Sequence, residues 1–308
     1  MSTTTQTPAA ARRTGLAAIA LTVVIWAGWI VGTRHGVTHA LDPAALGVLR
    51  FAVPAIVFAP VWLRCGLLPK SAIPRPLLVA AFASGMPFFL LVSGGMRIAP
   101  AADIGPLLPG TLPFFVALLS RLFFGERIGM ARIAGFALIL AGVGVMLADS
   151  LFAGGDIWAG RMLVVAGALC WAVFTILFRR SGLGALEGSA LFGVWSFIFM
   201  LPVGALPLYE AAAAGHLAEI AGQAVVQGVL SGVAGAYLYA VAIRSLGASQ
   251  AAAATALIPA LAALLGWLLL GEAVAPATLA GIVATSAGVA FASGAVRLPR
   301  RTGCPAAA

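Results

Sequence analysis

The stretch ALLSRLFFGE, residues 117–126, returns almost unchanged as ALLGWLLLGE at residues 263–272, which is 146 positions later. At this one shift, about a third of positions 113–147 are identical to their counterparts, which is more than shared hydrophobicity produces. The same shift aligns six marker residues, since Pro113, Gly125 and Glu126 coincide with Pro259, Gly271 and Glu272. The sequence is therefore predicted to contain an internal duplication.

The composition is that of a membrane protein. Apolar residues make up 62% of the 308 positions and charged residues only 9%, whereas a soluble domain carries roughly 25% charged side chains. The charges are bunched between apolar runs of about 18 to 24 residues, long enough to cross the bilayer as helices. We therefore predict an all-α polytopic membrane protein whose partner is the lipid bilayer, with no room for a soluble nucleic-acid-binding domain.

Ten apolar runs are predicted to be transmembrane spans, five in each copy of the duplicated sequence. The first repeat is predicted at residues 14–149 and the second at residues 158–296, and residues 1–11 and 299–308 are predicted to be disordered cytoplasmic tails. The predicted spans are 15–34, 44–63, 77–96, 102–123, 131–149, 158–178, 188–208, 222–243, 248–270 and 276–295.

The basic residues indicate how these spans cross the membrane. With the amino terminus inside, fourteen of the eighteen Lys and Arg residues fall in cytoplasmic segments, and three, Arg34, Arg97 and Arg161, fall outside. Arg and Lys accumulate in cytoplasmic loops, so this partition predicts ten crossings with both termini in the cytoplasm. The net charge of +9 is then a topological signal.

Each predicted half holds five spans, so the second half enters the membrane from the opposite side. This arrangement is an inverted repeat. In secondary transporters, inverted repeats place a substrate site near the membrane midplane, and rocking of the two halves exposes that site alternately to either side. The architecture therefore predicts transport of a small-molecule substrate.

Several motifs together resemble a known family. The first span reads LTVVIWAGWIVGTR (residues 21–34), the second contains GVLRF (residues 47–51), and the fourth and ninth each run from a proline through an apolar stretch to Gly-Glu. This combination resembles the EamA-like branch of the drug/metabolite transporter superfamily. The resemblance implies ten helices in two EamA-type repeats, a bacterial inner (plasma) membrane location and movement of small metabolites, often as export.

Arg50 is the first candidate substrate-binding residue, because a charged side chain within a span normally faces a partner or a water-filled cavity. Snorkelling to the outer interface is the structural alternative. Asp103, near the outer start of span four, is the candidate partner of Arg50. A cation in the outer vestibule favours zwitterionic or anionic compounds, such as amino acids.

Further candidate binding residues fall at comparable depth in the two halves. Trp26 and Trp171 lie near mid-membrane, where they either face the cavity or pack in the core. Pro106, Pro109 and Pro113 interrupt span four, and proline-broken spans at matching places are a pointer to a transport site, although an architectural kink is the alternative. The remaining candidates are Gly110, Thr111, Thr255, Tyr237 and Gln250.

The Gly-Glu pairs are predicted to be structural. Gly125 and Gly271 follow the ends of helices four and nine, where glycine tolerates the positive φ of a helix terminus. Glu126 and Glu272 are expected to interact with the amino end of the next helix, whose dipole favours an anion. Together with Pro113 and Pro259, these residues define a predicted helix-hairpin motif in each half.

The function that the sequence favours is therefore secondary transport by alternating access, with export as the favoured direction and protons as a candidate coupling ion. No Gly-rich P-loop, metal site or cofactor motif is present. A membrane-embedded enzyme would need His and acidic residues clustered at one face, and here they are scattered. A transporter-shaped sensor or regulator is the other alternative.

Overall fold

A computed structural model describes residues 8–153 and 156–293, and no strand occurs among them. The first half contains α1 (Pro8–His39), α2 (Pro43–Val57), α3 (Ala59–Cys65), α4 (Arg75–Ala83), α5 (Gly85–Met96), α6 (Ala101–Leu107), α7 (Leu112–Phe124) and α8 (Met130–Ala153). The second contains α9 (Ile157–Ser181), α10 (Ala185–Ala213), α11 (Leu217–Gln223), a π-helix (Ala224–Gly235), α12 (Ala236–Leu246), α13 (Ala248–Ala254), a 3₁₀ turn (Thr255–Leu257), α14 (Ile258–Leu270) and α15 (Pro276–Ala292).

Eight helical stretches among the described residues are long and apolar enough to cross a membrane. A ninth candidate is the pair α2 and α3, which is bent by 69°, and α15 is apolar but shorter. The eight stretches are Arg12–His39, Arg75–Met96, Ala101–Phe124, Arg132–Leu151, Ile157–Ser181, Ala185–Ala213, Leu217–Leu246 and Gln250–Leu270. They agree with the predicted all-α polytopic class, and ten crossings stay a prediction.

The structure departs from the predicted boundaries in two places. Helix α1 begins at Pro8, so residues 8–11 are helical and the prediction of a disordered tail is wrong for them. Residues 1–7 and 294–308, which include the predicted carboxyl-terminal tail, lie outside the described residues. The second predicted span is broken at Phe58, two residues before Pro60, whose missing N–H leaves no helical bond to the Ile56 carbonyl across the break.

The proline-rich fourth span is broken as its sequence predicts. Helix α6 ends at Leu107 and α7 begins at Leu112. The Thr111 hydroxyl donates to the Leu107 carbonyl at 2.6 Å and so satisfies an acceptor that the break exposes. In the ninth span, the Thr255 hydroxyl donates to the Ala252 carbonyl at 2.7 Å, also just before a proline-led helix.

Close glycine contacts join helices that belong to different predicted halves. A Cβ on Gly135 of α8 would lie 2.6 Å from the Gly288 carbonyl oxygen of α15, and a Cβ on Gly288 would lie 2.6 Å from the Gly135 oxygen. Gly142 and Gly281 approach each other along the same crossing. Elsewhere Gly47 packs against Met200, and Gly193 packs against Pro54. At the Gly135–Gly288 contact the helix backbones therefore approach too closely for any side chain.

The helix ends at Gly125 and Gly271 have the same geometry. Their φ angles are 66° and 67°, and each amide closes the last turn of the preceding helix. This is the left-handed terminus that the sequence predicts, and it strains any residue with a Cβ.

Replacing Gly271 with alanine is expected to destabilise the protein by about 1–2 kcal/mol, because alanine must adopt the left-handed conformation. Gly144 is the matched control, since it lies inside α8 with open space around its Cα. Gly144→Ala should be neutral or slightly stabilising, because alanine is favoured in helix interiors. Thermal unfolding of the two variants in detergent measures the difference, and equal stabilities would contradict the assignment.

Candidate functional site

Arg50 lies on α2 inside the helix bundle and is partly buried. Its Nη1 donates to the Gln227 carbonyl at 2.9 Å, and its guanidinium lies 5.4 Å from the centre of the Trp29 ring. In the described chain, none of the ion pairs within 4.0 Å includes Arg50. The cation therefore has a carbonyl and an aromatic face as neighbours, and its other N–H groups can bind an anion.

A polar network holds both neighbours of Arg50 in place. Gln227 is fully buried, accepts from Trp29 Nε1 at 2.6 Å and donates to the Thr33 hydroxyl at 2.9 Å. It also donates to Gln223 at 3.1 Å, and Gln223 donates to the Gly32 carbonyl at 2.8 Å. The network joins α1 to the π-helix, an element that occurs frequently at functional sites.

Trp29, Gln223 and Gln227 were not predicted from the sequence to be site residues. A signal was present, because two glutamines four residues apart in an apolar run fall on one helix face, and polar residues within a span are functional candidates. What the sequence lacked was their partner, since Gln227 meets Trp29 from 198 positions away.

Asp103 does not pair with Arg50. Its carboxylate accepts from Arg161 Nε at 2.8 Å and from the Thr278 hydroxyl at 2.6 Å, and the side chains of Asp103 and Arg161 are only 1% and 4% exposed. Arg161 also donates to the Met146 carbonyl. The predicted Arg50–Asp103 pair is therefore wrong, and Arg161 lies buried in α9 and not in an outer loop. Asp103 instead ties together α6, α9 and α15.

The Gly-Glu motifs also make contacts that the sequence analysis did not predict. Glu126 accepts from Arg179 Nη2 at 2.6 Å, and Glu272 accepts from Arg34 Nε at 2.6 Å. Glu272 accepts in addition from the Ala101 amide at 2.7 Å. Each glutamate thus binds a cation near the end of α1 or α9, and its contact with the next helix stays a prediction.

The other candidate binding residues are not brought to Arg50 by a hydrogen bond. Trp26 packs on Tyr239 with ring centres 5.1 Å apart, and Trp171 lies in a cluster with three phenylalanines, Phe88, Phe174 and Phe192. Gly110 fits closely against the Pro106 carbonyl, and Tyr237 and Gln250 are exposed. A binding role for these residues, and for Thr111 and Thr255, stays a prediction.

Charged side chains close one end of the bundle. We call the end where α1 finishes and α6 begins the His39 end, and the opposite end, where α7 and α9 finish, the Arg179 end. Five of the six ion pairs of the described residues lie at the His39 end: Arg34–Glu272, His35–Glu219, Arg97–Asp42, Arg161–Asp103 and Arg161–Asp149. Only Arg179–Glu126 lies at the other.

Packing follows the same asymmetry. All seven residues of α6, which leads inward from the His39 end, are buried. In α7, which continues to the Arg179 end, only Ser120 is buried. Helix α6 is therefore enclosed by other helices along its whole length, whereas α7 is largely accessible.

Comparison with known proteins places the chain in a family. The EamA-like transporter family matches twice, at residues 13–148 and 158–294. The chain is 28% identical over 276 residues to a probable terminal-alkyne amino-acid exporter of Streptantibioticus cattleyicolor, covering 88% of this chain and 91% of that protein. It is 31% identical over 177 residues to a probable amino-acid metabolite efflux pump of Escherichia coli, covering 55% and 54% of the two chains.

A third relative is the aromatic amino acid exporter YddG of Ancylobacter novellus, 27% identical over 51% of this chain and 55% of that protein. One solved crystal structure shares the fold over 94% of this chain and 99% of its own, with a TM-score of 0.56 and 20% identity. The family resemblance seen in the sequence motifs is thus confirmed. The chain belongs to the EamA-like transporter family and is a multi-pass membrane protein.

Proposed function

We propose that this protein is a secondary transporter that exports small zwitterionic or anionic metabolites with an amino-acid-like carboxylate across the bacterial inner membrane. The substrate class is inferred from Arg50, a cation without a counter-ion among the described residues. A charge inside a membrane is costly unless it is compensated, and the described residues supply Arg50 with a carbonyl and a ring but no carboxylate. A substrate carboxylate would complete this environment with a bidentate pair.

Alternating access between two inverted halves is supported by the pattern of contacts. When residue numbers are shifted by 146, the Gly47–Met200 contact becomes Gly193–Pro54 with the partners exchanged. In the same way, the Gly135–Gly288 contact becomes Gly281–Gly142. Such exchange is what a two-fold relation between the halves produces, and two equivalent halves can rock to open either end.

The direction and the membrane orientation rest on charge and on the relatives. Cytoplasmic termini put the His39 end outside and the Arg179 end, with its excess of arginines, in the cytoplasm. In this orientation the buried Arg34–Glu272 and Arg161–Asp103 pairs lie towards the outside, and the exposed Arg179–Glu126 pair lies towards the cytoplasm. The relatives named as exporters or efflux pumps for amino acids support outward movement of a similar cargo.

The test is counterflow in proteoliposomes that contain only this protein, with a panel of labelled amino acids and the corresponding methyl esters. Flux of amino acids but not esters is expected, because the ester lacks the carboxylate that Arg50 binds. Arg50→Gln should lower the flux about a hundredfold, and Arg50→Lys should recover only part, since lysine cannot form the bidentate pair. An imposed pH gradient in the same vesicles tests protons as the coupling ion.

Arg97→Gln is the matched control for these variants, because Arg97 is an exposed arginine at the His39 end. Its flux should equal that of the intact protein. Equal transport of acids and esters, or an Arg50→Gln variant with unchanged affinity for the acids, would contradict the proposed substrate class. Absence of flux for the whole panel would favour the sensor alternative.

A further inference from the structure

We infer that Arg34–Glu272 and Arg179–Glu126 are two equivalent locks at opposite ends of the protein, each buried when its end is closed and exposed when its end is open. We call them the buried pair and the exposed pair. The inference rests on the proposed transport by alternating access and assigns the residues that hold each end closed.

The two pairs occupy corresponding places in the sequence. Arg34 and Arg179 are 145 positions apart, and Glu126 and Glu272 are 146 apart. Each glutamate follows a left-handed glycine, and the N–O distance is 2.6 Å in both pairs. The pairs are therefore copies of one arrangement at opposite ends of the bundle.

Their surroundings nevertheless differ. The side chains of Arg34 and Glu272 are only 16% and 17% exposed, whereas those of Arg179 and Glu126 are 50% and 45% exposed. The buried pair also reaches two further helices, since Arg34 donates to the Met96 carbonyl of α5 and Glu272 accepts from the Ala101 amide of α6. Among residues 8–153 and 156–293, the one further hydrogen bond of Arg179 is to the hydroxyl of Ser120 on α7.

The buried pair thus joins four helices, whereas the exposed pair joins α9 to the end of α7. In the state closed at the Arg179 end, the two-fold relation predicts the missing contacts. Arg179 would then meet the end of α12, the counterpart of α5, and Glu126 would meet the start of α13, the counterpart of α6. An ion pair strengthens when water leaves it, so each lock gains strength as its end closes and loses strength as it opens.

A second charge cluster biases this equilibrium. Asp103, Arg161 and Thr278 add a buried ion pair and a hydrogen bond at the His39 end. At the corresponding positions of the other end, the sequence has Ser249, Leu16 and Arg132, which cannot form the same cluster. The state closed at the His39 end is therefore the resting state.

Distances between spin labels across each end of the protein report which end is closed. The native cysteines, Cys65, Cys170 and Cys304, are first replaced by serine, and retained flux checks this background. Labels on cysteines that replace His39 and Leu269, both exposed, span the His39 end. Labels at Phe123 and Leu186, also exposed, span the Arg179 end.

Glu272→Gln is expected to raise the population open at the His39 end about tenfold or more, because it leaves Arg34 without its counter-ion. Adding Glu126→Gln should bring the distribution back towards that of the intact protein, since it weakens the opposite lock. Arg34→Gln removes the other partner of the same ion pair and should therefore cause the same shift as Glu272→Gln. Asp42→Asn is the matched control, because it removes an exposed ion pair of the His39 end and should shift nothing.

The lock assignment is wrong if Glu272→Gln and Arg34→Gln leave the distances unchanged, or if the double variant opens the His39 end further. Counterflow in the same background separates this failure from failure of the proposed function. If Glu272→Gln opens the His39 end and added Glu126→Gln reverses that shift, but no panel compound is transported, the locks are supported and the proposed substrate class is wrong. If amino acids are transported but Glu272→Gln and the double variant both shift the distances in the same direction, the lock assignment is wrong and the transport function is still supported.

Discussion

Arg161→Gln is expected to destabilise the protein by about 3–5 kcal/mol, because it leaves the Asp103 carboxylate buried without a counter-ion. Asp103 is 1% exposed, so water cannot replace the lost guanidinium. The thermal unfolding midpoint in detergent should fall by roughly 5–10 °C. This replacement also frees Met146, whose carbonyl Arg161 binds.

Two further variants make this prediction specific. Asp42→Asn removes an exposed ion pair at the same end and should change the stability by less than about 1 kcal/mol. The double variant Asp103→Leu with Arg161→Met should recover much of the lost stability, because apolar side chains of similar volume often replace a buried pair without loss. A midpoint for Arg161→Gln equal to that of Asp42→Asn would contradict the buried pair.

Gly135→Leu is expected to prevent α8 and α15 from packing and to lower the yield of folded protein at least tenfold, corresponding to about 1.4 kcal/mol or more. Even a Cβ at this position would lie 2.6 Å from the Gly288 carbonyl oxygen. The obstacle is backbone, which cannot move aside as a flexible side chain would. Size-exclusion chromatography of fluorescently tagged protein measures the folded yield.

Gly144→Leu is the matched control, because Gly144 lies on the same helix and a Cβ added there would meet no atom within 4 Å. Its yield should equal that of the intact protein. Gly288→Leu should behave like Gly135→Leu, since a Cβ on Gly288 would lie 2.6 Å from the Gly135 carbonyl oxygen of α8. Equal yields for Gly135→Leu and Gly144→Leu would rule out the close crossing.

Local signals in the sequence predicted much of the fold. Glycine at the helix ends, proline at the break in the fourth span and the apolar runs all act through nearby backbone, so each could be read from a short stretch. The duplication helped to identify the family and showed that Gly125 corresponds to Gly271, and the φ angles of these two residues differ by one degree. The bend at Phe58 was missed because prolines also lie inside unbroken helices, as Pro202 and Pro207 do in α10, so proline alone does not predict a break. The π-helix was missed because no single residue type requires one.

The candidate site was predicted only in part. Arg50 was identified because a charge within an apolar run is conspicuous on its own. The neighbours of Arg50 were not predicted, since Trp29 and Gln227 approach it from other helices. Asp103, its expected partner, pairs with Arg161 instead. A partner 58 positions away, as Asp103 is from Arg161, has no local pattern that distinguishes it from other acids.

The sequence by itself therefore determined that this chain is an all-α membrane protein with an internal duplication and that it resembles a transporter family. In a bilayer every backbone group must be satisfied within its own span, so apolar length alone specifies helices. Only the tertiary structure decided which charges meet, which ion pairs are buried and which cation is left without a counter-ion. Those outcomes depend on helices that are remote in sequence, and a buried charge is stabilised by whichever partner the packing brings within reach.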